Sequence, residues 1–333
     1  EHSFPTRRSS DLMKLQIVFL KKKYLYYVLA IIIFTITLTF FLLFKNDSIS
    51  TFNTVNESKM MQADLTGDGT KDILYIKTEA NKYYVQINSG DISYYLEPSK
   101  KINTVGNYYL QWPMRLTLMD ISRNNIPEIF TQASVKDKAV QHVFLWNDEK
   151  YKDIFCSTNN VLGFVDSKNN KTPKMLSGNI KNGKLNFTSY LFIQDSLKSF
   201  DYNYVDNYMG KASVLSFINL MSTFPVSELN IPKDLFTSDL NGNDISLLSE
   251  LSNKKVHLTF QDGVFKDFNW DKDGNTSDVL WTLNFKGTTI NNLLEPKVSN
   301  LNDTKNYTIE LILKLIPNTN KNSSFKISSI DIK

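Results

Sequence analysis

Apolar and polar positions alternate along most of this chain, and the departures from that pattern mark its organisation. The largest departure is Tyr24–Phe44, YLYYVLAIIIFTITLTFFLLF, which runs 21 residues without a charge. At 1.5 Å rise per residue such a helix spans roughly 31 Å, close to a bilayer's hydrocarbon thickness. Tyr24, Tyr26 and Tyr27 stand where interfacial aromatics belong, and Lys14 and Lys21-Lys22-Lys23 precede them. The pattern predicts a transmembrane helix over residues 24–44. A basic cytoplasmic tail (13–23) would precede it, and the bulk of the chain would be extracytoplasmic on a single-pass cell-membrane anchor. A cleaved signal peptide fits less well, because the run is too long and Lys45-Asn46-Asp47-Ser48 replaces a small-residue cleavage site.

After a polar tether (45–59), short period-two patterns take over. Strands are expected near 73–77, 82–87, 129–133, 141–146 and 184–192, where β-branched and aromatic residues alternate with polar ones. The period then changes. Apolar residues at 214, 215, 217, 218, 220 and 221 predict a mostly buried helix over about 209–223, stopped before Pro225. A short helix over 244–252 follows. Further strands are expected near 255–260, 264–268, 279–285, 307–315 and 325–332. Tyr307, Ile309, Leu311, Leu313 and Leu315 share one strand face, as in a sheet with one side packed. The expected fold is therefore a transmembrane helix, a β-repeat domain over 60–195 and a C-terminal α+β domain over 196–333 with an antiparallel sheet.

The sharpest chemical signal is Asp64-Leu-Thr-Gly-Asp-Gly-Thr-Lys-Asp72. Asp64, Thr66, Asp68 and Asp72 place side-chain oxygens at offsets 0, 2, 4 and 8, and Gly69 permits a turn with positive φ. With the Thr70 carbonyl these would supply most of a calcium shell, since a hard cation takes six to eight oxygens. An ordinary Asp-Gly turn is the competing explanation. The same spacing returns as Asp120, Ser122, Asn124 and Glu128, and again from Asp166, where Lys168 and Lys174 replace two ligands. Residues 269–278 form a further candidate, with Asn269, Asp271, Asp273, Asn275, Ser277 and Asp278, although Asp-Gly between strands equally predicts a hairpin.

A nine-residue acidic loop running straight into a strand resembles the FG-GAP/VCBS repeat, the calcium loop of integrin-type β-propellers. The resemblance implies propeller-blade-like units, with calcium stiffening the strand junctions.

Composition changes the picture in three places. Glu1–Leu12 looks like an in-frame translation of a sequencing adaptor, so Met13 is the expected start. The chain carries 38 basic and 34 acidic residues. Setting aside residues 1–12 and the five lysines around the apolar run leaves 31 basic and 32 acidic, so the basic balance is no sign of nucleic-acid binding. Cys156 is alone, which excludes an intramolecular disulfide.

Nucleotide-binding glycine motifs, zinc-protease motifs and nucleophile elbows are missing from the sequence. His142 and His257 sit inside strand patterns and read as packed residues. The expected function is thus a non-catalytic, calcium-stabilised recognition or adhesion module with a glycan or an envelope protein as partner. A structural or assembly role is the alternative and a secreted hydrolase the third.

Overall fold

The structure, a computed structural model, describes residues 22–43, 53–54, 60–98, 101–166, 173–200, 207–226, 232, 234–238, 240–289, 304–317 and 323–333. The adaptor-like leader, most of the tether and residues 167–172 of the third acidic loop lie outside them. The chain divides into two compact units, Glu1–Ser48 and Ile49–Lys333.

In the first unit a helix, α1 (Lys22–Leu43), forms over the apolar stretch. Among the described residues, however, no helix is long and apolar enough to cross a membrane. Lys22 and Lys23 lie inside the first turn rather than beside it. Thr35, Thr37 and Thr39 interrupt its apolar surface, each returning its hydroxyl to a carbonyl one turn back. The expected transmembrane helix, and with it the signal anchor, the single-pass membrane location and the extracytoplasmic bulk, is corrected on this finding.

The second unit is mostly β-sheet. It opens with β1 (Asn53–Thr54) and then builds three successive antiparallel meanders of four strands. The first is β2 (Met61–Ala63), β3 (Asp72–Glu79), β4 (Lys82–Ser89) and β5 (Ile92–Tyr95). The second is β6 (Arg115–Met119), β7 (Glu128–Val135), β8 (Lys138–Trp146) and β9 (Tyr151–Ser157), with β1 paired on the outer edge of β6. The third is β10 (Val161–Val165), β11 (Lys174–Lys181), β12 (Lys184–Phe192) and β13 (Leu197–Phe200).

Helices α2 (Lys211–Ser222) and α3 (Gly242–Asn253) follow, and then four long strands: β14 (Val256–Trp270), β15 (Thr276–Thr289), β16 (Thr304–Ile316) and β17 (Ser324–Ile332). The two strands predicted near 255–260 and 264–268 are one strand, β14, with a bulge between Phe260 and Asp262. A bulge kinks a strand and adds twist without ending it.

These last strands do not form a domain of their own. β10 pairs in parallel with the middle of β14, Val161 opposite Gly263 and Phe164 opposite Lys266, giving one mixed sheet ordered β13-β12-β11-β10-β14-β15-β16-β17. The expected succession of a β-repeat domain and a separate α+β domain with an antiparallel sheet is therefore corrected. Its predicted boundary at 195/196 falls inside one sheet. β10 reads VLGFV and is buried at every position, which suits a strand covered on both faces in a parallel pair.

Glycine makes that pairing fit. A Cβ on Gly163 would stand 2.1 Å from the ring of Phe265, directly across the register. Phe265 in turn stacks on Trp281 of β15 at 4.3 Å, and the Trp281 indole donates to the Met209 carbonyl ahead of α2. Val214, Phe217 and Met221 of α2 and Leu248 and Leu251 of α3 close the same core. The β17 edge is covered rather than open. Leu235 and Thr237 exchange backbone hydrogen bonds with Ile327, and the Asp244 carboxylate accepts from Ile330 N. Occupied edges of this kind block pairing with other chains.

Gly163→Ala is expected to destabilise the protein by about 1–3 kcal/mol, because a core this dense yields to an added methyl only by moving side chains. Chemical denaturation with an unchanged m-value would check it.

Candidate functional site

The two acidic loops adopt one geometry. Asp64 accepts from Gly67 N (2.6 Å) and Gly69 N (2.9 Å), and Asp120 accepts from Arg123 N (2.6 Å) and Asn125 N (3.0 Å). Asp68 accepts from Thr70 N, and Asn124 from Ile126 N, again at the same offset. Asp72 and Glu128, each the first residue of its strand, reach back to Leu65 N and Ile121 N. Ser122 and Thr66 hydroxyls turn inward to Asp120 and Asp72. The loops pack together, since a Cβ on Gly67 would meet Ile126.

The side-chain oxygens are thus largely spent on the loops' own amides. Among the described residues no group of three or more Asp, Glu, His or Cys is arranged to hold a metal ion. The calcium shells expected from Asp64, Thr66, Asp68, Thr70 and Asp72, and from the weaker set of Asp120, Ser122, Asn124 and Glu128, find no support in this arrangement.

The 269–278 candidate resolves as a hairpin. Asp271 accepts from Asp273 N and Asn275 N, its own N–H bonds the Asn275 carbonyl, and Asn269 lies opposite Asp278 in the β14–β15 ladder. Ser277 donates to Asp278. Nearby Asp267, which the sequence did not single out, accepts from Asp166 N, Trp270 Nε1 and Thr276 Oγ1 and ties the third meander to that hairpin.

Within the two acidic loops, Asp68 and Glu128 depart from ordinary titration for clear reasons. The Thr70 hydroxyl and amide hold Asp68 below the usual carboxylate range. Burial pushes Glu128 up, and its Oε1 has no hydrogen-bond partner among the described residues.

Both described histidines contact backbone carbonyls. His142 is buried between the Asp153 carboxylate at Nδ1 (2.9 Å) and the Thr104 carbonyl at Nε2 (3.1 Å). His257 Nδ1 faces the Phe224 carbonyl at 3.4 Å.

A cleft of about 680 Å³ opens where the β7–β8 turn, the end of β11 and the β14–β15 pair approach one another. Tyr109, Trp112 and Phe260 give it aromatic walls. Amides come from Gln111, Asn160, Asn179 and Gln261, and hydroxyls from Thr158, Thr259 and Thr288. Lys136, Lys138, Lys181 and Lys286 supply cations, and Asp137 is the single carboxylate among the described lining residues. Thr259 and Lys286 are register partners across β14 and β15, so both are held by the ladder. Sequence reading missed this site because its residues come from six separated stretches that long-range pairing, β10 with β14 among it, brings together.

Below the cleft lies a buried ion pair. Arg115 of β6 donates to Asp262 of β14, as does the Trp112 indole, and Arg115 also reaches the Thr282 carbonyl. Gln132 adds a hydrogen bond to the Gly263 carbonyl at 3.2 Å. Desolvation works against both charges, raising the Asp262 carboxyl and lowering the Arg115 guanidinium. The pair survives because each compensates the other in contact.

No family model matches this chain, and no curated protein matches it. Among solved structures it is similar to an Agrocybe aegerita lectin, described as specifically recognising non-reducing terminal N-acetylglucosamine. That match has 11% identity, covers 85% of this chain and 66% of that one, and has a TM-score of 0.22. A superposition that loose carries no argument about fold or ligand. The FG-GAP/VCBS and propeller-like reading finds no support in these comparisons and is set aside.

Two outcomes follow. A buried carboxyl with a raised pKa favours its protonated form in the folded state, so Glu128 costs stability as pH climbs above its ordinary value of 4.5. Glu128→Gln is expected to be the more stable protein at neutral pH and to lose that decline, as urea unfolding across pH would measure. Asp262→Ala, which strands a buried guanidinium, should cost about 3–5 kcal/mol, whereas Arg115→Met with Asp262→Leu should recover most of it. Thermal and chemical denaturation of the single and double variants would separate the two.

Proposed function

We propose that the second unit is a non-catalytic recognition module whose ligand lies in the cleft between the β7–β8 turn, β11 and β14–β15. One observation carries this reading. A concave site of ligand size is lined by converging amides, hydroxyls and aromatic walls on paired strands. Ladder-held side chains keep their geometry before the ligand arrives, which lowers the ordering cost of binding.

The lining favours binding over hydrolysis. Hydrolysis of a glycosidic bond by the usual route takes two carboxylates on either side of the scissile bond. Asp137 stands alone in the cleft, at a turn flanked by Lys136 and Lys138. Aromatic rings beside amides and hydroxyls suit a polar, ring-containing ligand, because an apolar ring face and a rim of hydroxyls need both kinds of partner. A glycan is the ligand class that fits. A structural role beside a protein partner draws on a different surface, the exposed Tyr84, Ile92 and Tyr95 of β4 and β5.

Thr259→Trp places a large ring in the cleft from an exposed ladder position. The variant is expected to keep its circular dichroism spectrum and to lose at least tenfold in affinity for whichever oligosaccharides the parent retains on a glycan array. Unchanged retention by the folded variant would remove the cleft from the function.

A further inference from the structure

We propose that the ligand of this cleft is an acidic oligosaccharide, its uronate carboxylates held by Lys136, Lys138, Lys181 and Lys286. The proposal rests on the recognition reading above and adds the charge class of the ligand.

Four ammonium groups and one carboxylate line the cleft, an excess of three positive charges, while the whole 333-residue chain carries a formal charge of only +4. The positive charge is therefore focused rather than spread. Among the described residues no ion pair engages any of the four lysines; the described pairs join Arg115 to Asp262, His142 to Asp153 and Lys333 to Glu310. Like charges gathered on a concave surface raise the local concentration of anions, and an anionic ligand neutralises them.

The positions are fixed by turns and ladders. Lys136, with φ of 57°, is the first residue of the two-residue turn Lys136-Asp137, and Lys138 opens the strand that follows it. Lys181 closes β11 just before the turn at Asn182-Gly183, and Lys286 sits opposite Thr259 in the β14–β15 ladder. Three different hairpins thus aim cations at one volume.

The composition of the lining selects among anions. Every lining cation is a lysine, a compact point charge that pairs with a carboxylate without the fixed fork geometry of arginine. Amides and hydroxyls outnumber the cations seven to four, a ratio suited to a ligand with many hydroxyls and occasional charge. Gln261 is buried and its Oε1 has no hydrogen-bond partner among the described residues, so a ligand hydroxyl or bound water that reached it would remove a desolvation cost.

The test uses the full chain and three probes of equal length: an oligogalacturonate, its methyl ester, and a single-stranded oligonucleotide. Calorimetry is expected to show binding of the oligogalacturonate, weakened at least tenfold between about 50 mM and about 500 mM salt as its charges are screened. The Lys181→Gln/Lys286→Gln double variant should lose at least tenfold for the acid and little for the ester. Equal binding of the ester, or tighter binding of the oligonucleotide, would overturn the acidic-glycan assignment. So would failure of the acid to bind at millimolar concentration. Thr259→Trp separates the two levels of the argument. If it abolishes binding of the oligogalacturonate while the lysine variants leave that binding unchanged, the cleft stands and the charge class falls. If it leaves oligogalacturonate binding intact, the cleft itself is wrong.

Discussion

A single buried charge pair, Arg115 with Asp262, sets the geometry on which the second unit depends. Arg115 belongs to the first strand of the middle meander and Asp262 to the bulged centre of β14, 147 residues later. Neither charge has access to bulk water, and a lone charge there would be prohibitive. The two sheets must meet in the one arrangement that keeps the pair in contact, with Trp112 and Gln132 adding their own hydrogen bonds across the same seam. A pair of this type contributes little net stability compared with an apolar filling. Its contribution here is register, since it fixes where β14 lies against the middle meander and hence where the cleft opens.

Local structure was largely legible in the sequence, and long-range structure was not. The hairpins at 73–87 and 129–146 and the helices near 211–222 and 242–253 followed from period and turn residues, because those signals act within a few residues of each other. The parallel contact of Val161–Phe164 with Gly263–Lys266 left no such signal. β10 reads as a short apolar run, and nothing in five residues tells a buried strand which partner it will choose. The cleft depends on that choice and was hidden with it. Gly163 was the nearest thing to a clue, a glycine inside a strand where another side chain approaches closely.

The acidic loops show how one spacing serves two physical ends. Oxygens at offsets 0, 4 and 8 are what a cation shell wants, and also what a tight loop needs to satisfy amides that no ladder reaches. Offsets 0 and 4 pull in amides within the turn, and offset 8 ties the incoming strand to the outgoing one through Leu65 N or Ile121 N. Asn124 replaces Asp68, and Glu128 replaces Asp72, with the same hydrogen bonds kept. That interchange between charged and neutral, or shorter and longer, side chains leaves the amide capping intact, since each replacement still offers an acceptor oxygen. Motif spacing alone does not separate a cation shell from an amide cap.

The β10–β14 contact has a kinetic side. Sheets closed by distant partners are slow to form, because the loop entropy is spent before the contact repays it. The first three meanders emerge from the ribosome with local hairpins able to form at once, but β10 keeps a bare hydrogen-bonding edge until residue 263 arrives. During that interval the nascent chain displays VLGFV as a template for foreign strands. The C-terminal third is in this sense an intramolecular chaperone for the strands that precede it, and chains truncated before Val256 would carry a permanent sticky edge.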